Sequence, residues 1–295
     1  MRSYKINEIC INKFAESFPS IYKEFMDFGG KVFDDSDVKV SVKKLFYACA
    51  ICNNMNWDFL CHTAIPRLFD ITDGFNYSRV CSLDTVTVES VFLEYPKKHK
   101  IEAANRIEML RKLSYYTTNI NPAIFDNILH VNTLSGETGL SNLINSIPVF
   151  EDDPLHKKGN LLVQILLREG IVNVEDQDNV EPSIDYHVIR FFLRYGFFEL
   201  DEITMQRLSR GDSFSLDETT ALRQSIAECM KQLSKAGIPI AKMGFIAWSV
   251  GRTYCRTEEA SCKHNSSCPV CHECIGNSDP KYRSLKEPES NVGYY

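Results

Sequence analysis

Five of the chain's eleven cysteines fall between positions 255 and 274, in the run CRTEEASCKHNSSCPVCHEC. Thiols this dense constrain a fold strongly, because each must end as a disulfide, a metal ligand or a buried free thiol. The opening stretch MRSYKINEICINKF has no continuous apolar segment and no small-residue cleavage site, so it does not read as a secretory signal. No apolar run approaches the roughly 18 residues needed to cross a bilayer. A soluble intracellular protein is expected, cytoplasmic or nuclear. In a reducing compartment such cysteines are read as metal ligands rather than disulfide partners.

The remaining sequence reads as helix. Its 295 residues are 44% apolar, enough for a sizeable core in one large or two modest domains. No period of 20 to 50 residues repeats, which excludes a solenoid. Two helices are expected within 36–69. A third covers 101–115, where Ile101, Ala104, Ile107, Leu110 and Leu113 share one face. Asn121-Pro122 opens another to Val131, and a short one spans 140–147. Asp153-Pro154 and Gly170 bracket a helix rich in leucine, and Gly196 stops one from Asp185 to Tyr195. Helices over 217–236 and from Pro239 to Thr253 lead into the cysteines. The main strand candidate is VTVESVFLEY, 86–95. Four regions are expected: an N-terminal helical region (1–100), a helical domain (101–254), the cysteine loop (255–275) and a flexible tail (276–295).

The formal net charge of −6 argues against a protein that coats nucleic acid, but permits a local basic face. Residues 252–286 carry six Lys and Arg against four Asp and Glu.

Three segments carry chemistry. Cys255, Cys262, Cys268 and Cys274 are separated by six, five and five residues, with Pro269 after the third. A compact loop of this length can bring four thiolates onto a 4Fe–4S cube. Zinc is the alternative, from Cys262, His264, Cys268, Cys271, His272 and Cys274, since Cys-x2-Cys is a common zinc spacing. In EPSIDYHVIRFFLRYG, Asp185 opens a helix where amide groups and dipole favour an anion, so it reads as a cap or a functional carboxylate. In DPLHKKGNLLVQILLREG, Lys157 and Lys158 stand in a helix first turn, as functional amines or as solvated charge. Cys49-x2-Cys52 lies in a helical apolar pattern and reads as buried structural thiols.

Together these segments resemble the helix-hairpin-helix base-excision DNA glycosylases, the endonuclease III and adenine-mismatch class, over about residues 101 to 275. The cysteine loop after a C-terminal helix, with six residues between its first two cysteines, carries part of the resemblance. The rest is the pattern apolar-Asp-x-His/Asn-apolar-x-Arg at Ile184, Asp185, His187, Val188 and Arg190. The Asp-Pro-x-x-Lys-Lys start is similar to archaeal 8-oxoguanine glycosylases. The resemblance implies an all-α fold of two helical lobes with a central cleft. The N-terminal helix would join the C-terminal helices and the metal loop.

It further implies a monomeric N-glycosylase acting on damaged or modified bases in double-stranded DNA. Asp185 would be the essential carboxylate, and Lys157, with Lys158 next in line, the Schiff-base amine of an AP-lyase step. The 4Fe–4S ligands would be Cys255, Cys262, Cys268 and Cys274. Trp57, Tyr186, Phe191 and Phe192 are candidates to stack an extruded base or to fill a core. The chain departs from the family pattern in three places. The second cysteine gap is five residues rather than two, Cys271 is extra, and Phe150-Glu151-Asp152-Asp153 replaces the glycine-rich hairpin. Three acids there would repel a phosphate. This keeps open a nucleosidase acting on a free modified nucleoside or nucleotide, and a non-catalytic metal-stabilised module that binds nucleic acid or protein.

Overall fold

The computed structural model describes residues 4–25, 30–264 and 268–289. They are mostly helical, with one two-stranded antiparallel pair. The longer helices are α1 (Glu8–Lys23), α2 (Val38–Ala50), α3 (Ile65–Ile71), α4 (Thr85–Val91), α5 (Ala103–Tyr115) and α6 (Ile124–His130). There follow α7 (Leu140–Asn145), α8 (Lys157–Arg168), α9 (Tyr186–Tyr195), α10 (Glu202–Arg210), α11 (Leu216–Lys235) and α12 (Ile240–Thr253). Two single-turn helices, α13 (Ile275–Ser278) and α14 (Pro280–Arg283), follow the cysteines. No helix among the described residues is long and apolar enough to cross a membrane.

The chain divides into two compact units, at about residues 29 and 180. One contains the described residues 4–25 and 180–289; the other contains 30–179. In the first, β1 (Lys5–Ile6) pairs with β2 (Phe198–Glu199), and Asn7 N–H donates to Phe197 O at 2.9 Å. This ties the start of α1 to the chain just beyond α9. Phe14 of α1 then meets Tyr195 edge-on at 5.3 Å, and Tyr195 stacks on Phe197 at 4.5 Å. α9 is the buried axis of this unit. Its Val188, Ile189, Phe191, Phe192, Leu193 and Tyr195 are all buried, each contributing roughly 1.5–3 kcal/mol of apolar burial. Phe191 and Phe192 are therefore core residues. α9 packs closely on α12: a Cβ placed on Gly251 would stand 2.3 Å from His187 O.

In the second unit, α2 is surrounded by α3, α5, α6 and α8. Between α2 and α3 the chain makes a wide turn of π-helix over Leu60–Ala64. Pro66, which lacks an N–H to donate back into this turn, follows directly.

Two sequence expectations differ from this picture. The segment 86–95 contains helix α4 instead of a strand. Asp84 caps it by accepting Thr87 N–H at 2.7 Å, and Val88, Val91 and Phe92 bury one helical face. Residues 276–289, expected within a flexible tail, lie in α13, α14 and a strap against their unit. Leu285 is fully buried and accepts Arg194 Nε at 2.7 Å, and Lys286 N–H donates to Leu208 O at 3.1 Å. Residues 290–295 lie outside the described residues.

Candidate functional site

Asp185 sits at the N-cap of α9. Its Oδ1 accepts the backbone N–H of Val188 at 3.0 Å, and its own backbone is extended, as a cap requires. The carboxylate thus faces the positive end of a ten-residue helix whose far end is closed by Gly196 at φ 95°. Both sequence readings of Asp185 are compatible with this position.

His187, two residues on, is half-buried between Tyr186 and Trp248. Burial pulls its imidazole down to about 4, against the pull of Asp185. The ring is neutral at physiological pH. Its Nδ1 accepts from Arg190 Nη2 at 2.9 Å, since a guanidinium can only donate.

Arg190 is 2% exposed and joins α9 to the cysteine loop. Its Nε donates to Cys255 O, its Nη2 to Gly251 O at 2.9 Å and its Nη1 to Thr257 Oγ1 at 2.9 Å. The same Nη1 pairs with Glu287, which Thr257 also reaches at 2.8 Å. One turn later, Arg194 donates to Arg256 O at 2.7 Å and Thr257 O at 3.2 Å, besides Leu285 O. Two arginines on one helix face therefore hold the start of the cysteine loop and the C-terminal strap together. Cys274 closes the loop from the other side, its Sγ donating to Arg194 O at 3.5 Å.

The loop folds back on itself. Cys255 bridges Ala260, and Ser261 N–H donates to Tyr254 O at 2.8 Å. The thiols lie within electrostatic reach of one another. Burial pushes Cys268 up to about 12, with the charges of Cys255, Cys271 and Cys262 acting the same way. Cys274 is raised by burial and by Cys255 and Cys268. Cys255 is raised by burial and Cys262, with Arg194 opposing. Thiols held together in this way keep their protons until a cation compensates them. No group of three or more His, Cys, Asp or Glu side chains among the described residues is arranged to hold a metal ion, and 265–267 lie outside them. Of the zinc alternatives, His264 pairs with Glu259 at 2.8 Å and His272 is exposed.

Lys157 and Lys158 belong to the other unit. Both are 7% exposed, so neither is a solvated first-turn lysine. α8 starts at Lys157 rather than at Asp153. His156 adopts a left-handed conformation at φ 48°, and Asp153 caps from outside, its Oδ2 accepting Lys157 N–H at 2.8 Å. Lys157 Nζ reaches Cys52 Sγ at 3.7 Å, and Lys158 Nζ donates to Ala50 O at 2.8 Å. Burial pulls Lys158 down to about 8, with Lys157 and Arg106 acting in the same direction and Cys52 opposing. The acids Glu151 and Asp152 just upstream are exposed.

Sequence reading missed the arginine clasp and the Cys49/Cys52/Cys61 group beside the lysines. A clasp that spans 60 to 100 residues leaves no local spacing to read. The Cys49-x2-Cys52 pair was the one available signal for the second group. Comparison with known proteins adds no family: no family model matches the chain, and no curated protein matches it.

Proposed function

We propose that the chain is a base-excision N-glycosylase for DNA, with Asp185 as its essential carboxylate. The observation that carries this reading is the physical union of its two motifs. The Asp185 helix and the cysteine loop, 70 residues apart in sequence, are locked together in one unit by Arg190 and Arg194. Cleaving a glycosidic bond builds positive charge on the sugar. A carboxylate already fixed at a helix N-terminus stabilises that charge or orients the attacking water without reorganising. The target base would leave the duplex stack to reach it.

Cys255, Cys262, Cys268 and Cys274 are the proposed ligands of a 4Fe–4S cluster that braces this unit, with zinc as the competing occupant. When bound, the metal compensates the clustered thiolate charge. The arginines do the positioning of α9 against the loop.

Strand cleavage requires an amine that gives up its proton before it attacks. Lys157 is the assigned nucleophile, and Lys158, drawn down to about 8, competes for the role. Exposed Glu151 and Asp152 ahead of α8 oppose a phosphate, and they favour a second reading: a nucleosidase acting on a small free nucleoside or nucleotide.

The test uses duplexes carrying single damaged bases, a panel of free nucleosides, and the Asp185→Asn variant. Asparagine caps a helix as well as aspartate does, so this change removes the charge and keeps the fold. Base release that falls about a hundredfold or more with binding retained supports the reading. Release from free nucleosides alone selects the second. Binding without release by either protein leaves a non-catalytic binding module and refutes both. Borohydride trapping with Lys157→Gln and Lys158→Gln assigns the amine.

A further inference from the structure

The second unit holds a thiol group that the proposed reaction does not use. Cys49 lies in the last turn of α2, Cys52 three residues on, and Cys61 in the π-helical turn. Cys49 and Cys61 are each raised by burial, and each feels Cys52 as the first of its thiol neighbours. Cys52 stands at the centre of the group and, at 9% exposed, is the one of the three with a remnant of surface.

The charges of Lys157 and Lys158 also act on Cys49, but Cys52 is the sulfur that a lysine contacts. Lys157 Nζ donates to its sulfur at 3.7 Å, and both Lys158 and Arg106 register its charge. Lys158 and Arg106 are anchored by backbone carbonyls, Lys158 on Ala50 and Arg106 on Asn53 and Lys100 at 2.8 and 3.0 Å. They are therefore fixed in place rather than free to swing away. Reactive cysteines sit beside Lys or Arg with some access to solvent, and Cys52 has both.

From this geometry we infer that Cys52 is a peroxide-reactive thiol held by Lys157, and that Cys49 resolves it as a disulfide. The Cys52 thiolate attacks one oxygen of a hydroperoxide. An S–O bond forms, the O–O bond breaks, and the leaving hydroxide or alkoxide takes a proton. Cys52 is oxidised to a sulfenic acid and the peroxide is reduced. The Cys49 thiol then attacks the Cys52 sulfur, its proton leaves with the departing hydroxyl as water, and an S–S bond forms. Cys52 lies two residues beyond the end of α2, and its charge acts on Cys49, so the two sulfurs are close neighbours. This chemistry requires only side chains of the one unit.

The experiment treats the full-length protein with hydrogen peroxide in the presence of dimedone, which traps sulfenic acids, and maps every cysteine by mass spectrometry. Exposed Cys81 is the internal comparator. The wild type is expected to yield a Cys49–Cys52 disulfide. Cys49→Ser is expected to yield a dimedone adduct at Cys52, formed at least about fivefold faster than at Cys81. Lys157→Gln should slow that adduct about tenfold, and Lys157→Arg should preserve it. Adducts at Cys81 with Cys52 unmodified overturn the proposal. So does an unchanged rate in folded Lys157→Gln. A disulfide from Cys52 to Cys61 overturns the assignment of Cys49. Should Lys157→Gln fail to fold, Cys52 against Cys81 in Cys49→Ser still decides.

Discussion

The two thiol groups are built with the same device and end in different environments. In each, a buried arginine collects backbone carbonyls from irregular chain. Arg190 and Arg194 take Cys255, Gly251, Arg256, Thr257 and Leu285. Arg106, 2% exposed, takes Ile51, Asn53, Lys100 and Ile101. Five donors in a fixed fork suit this task, because each carbonyl would otherwise be buried without a partner. The difference lies in the company the sulfurs keep. In the C-terminal loop, the charges of Cys255, Cys271 and Cys262 act on Cys268 alongside its burial, while Arg194 and Arg190 act on Cys255. Around α2, Cys52 accepts from Lys157, and its charge acts on Lys158 and Arg106. Cysteine number alone therefore says little about thiol chemistry; the neighbouring charges differ between the two groups.

The largest expected effect comes from removing the clasp. Arg190→Ala leaves Glu287 and three carbonyl or hydroxyl partners without their donor, and should cost about 3–5 kcal/mol in denaturant unfolding. A loss under about 1 kcal/mol would mean that the clasp does not hold the loop. Next is Gly251→Ala, which pushes a methyl into His187 O where α9 meets α12. It should cost about 1–3 kcal/mol and displace the Asp185 helix, so base release should fall along with stability. A smaller effect separates capping from charge at Asp185. Asp185→Ala should lose about 1 kcal/mol that Asp185→Asn retains, while both lose activity.

Two effects are read from pH. Burial holds His187 neutral down to about 4, below its unfolded value, so the unfolded chain binds a proton first as pH falls. Stability linked to this residue is therefore present above about 6.5 and is lost progressively toward 4. Thermal unfolding of His187→Gln should show a shallower acid decline than the wild type; parallel curves would remove His187 from the acid response. Lys158 should gain reactivity toward an acylating reagent with a midpoint near pH 8, as mapped by mass spectrometry, while exposed lysines titrate above it. A common midpoint for all lysines would contradict its burial.

Much of the fold was legible because the signals were local. Asp185 before an amphipathic run, with Gly196 behind it, located α9 to within a residue. Ser215 and Glu218 form a full capping box that starts α11 close to the expected 217. The α4 segment shows propensity losing to context. Its valines and threonines favour a strand, but the Asp84 cap and the buried face of Val88, Val91 and Phe92 decide for helix. The buried lysines were illegible for a different reason. Charge normally marks surface, and nothing near Lys158 in sequence announces that its amine will spend itself on Ala50 O, 108 positions earlier. The same distance hides Arg190, whose partners in the loop and strap lie 61 to 97 positions away.

The central claim is that the cysteine loop clasped to the Asp185 helix is a metal-braced glycosidic centre. The measurement that tests it most directly is anaerobic purification of the full chain, followed by a visible spectrum and iron, sulfide and zinc analysis. The account predicts a broad visible absorption with about four irons and four sulfides per chain, lost in Cys268→Ser and unaffected by Cys49→Ser. A colourless protein with one zinc, or with no metal at all, would contradict the cluster and remove the strongest support for the glycosylase reading.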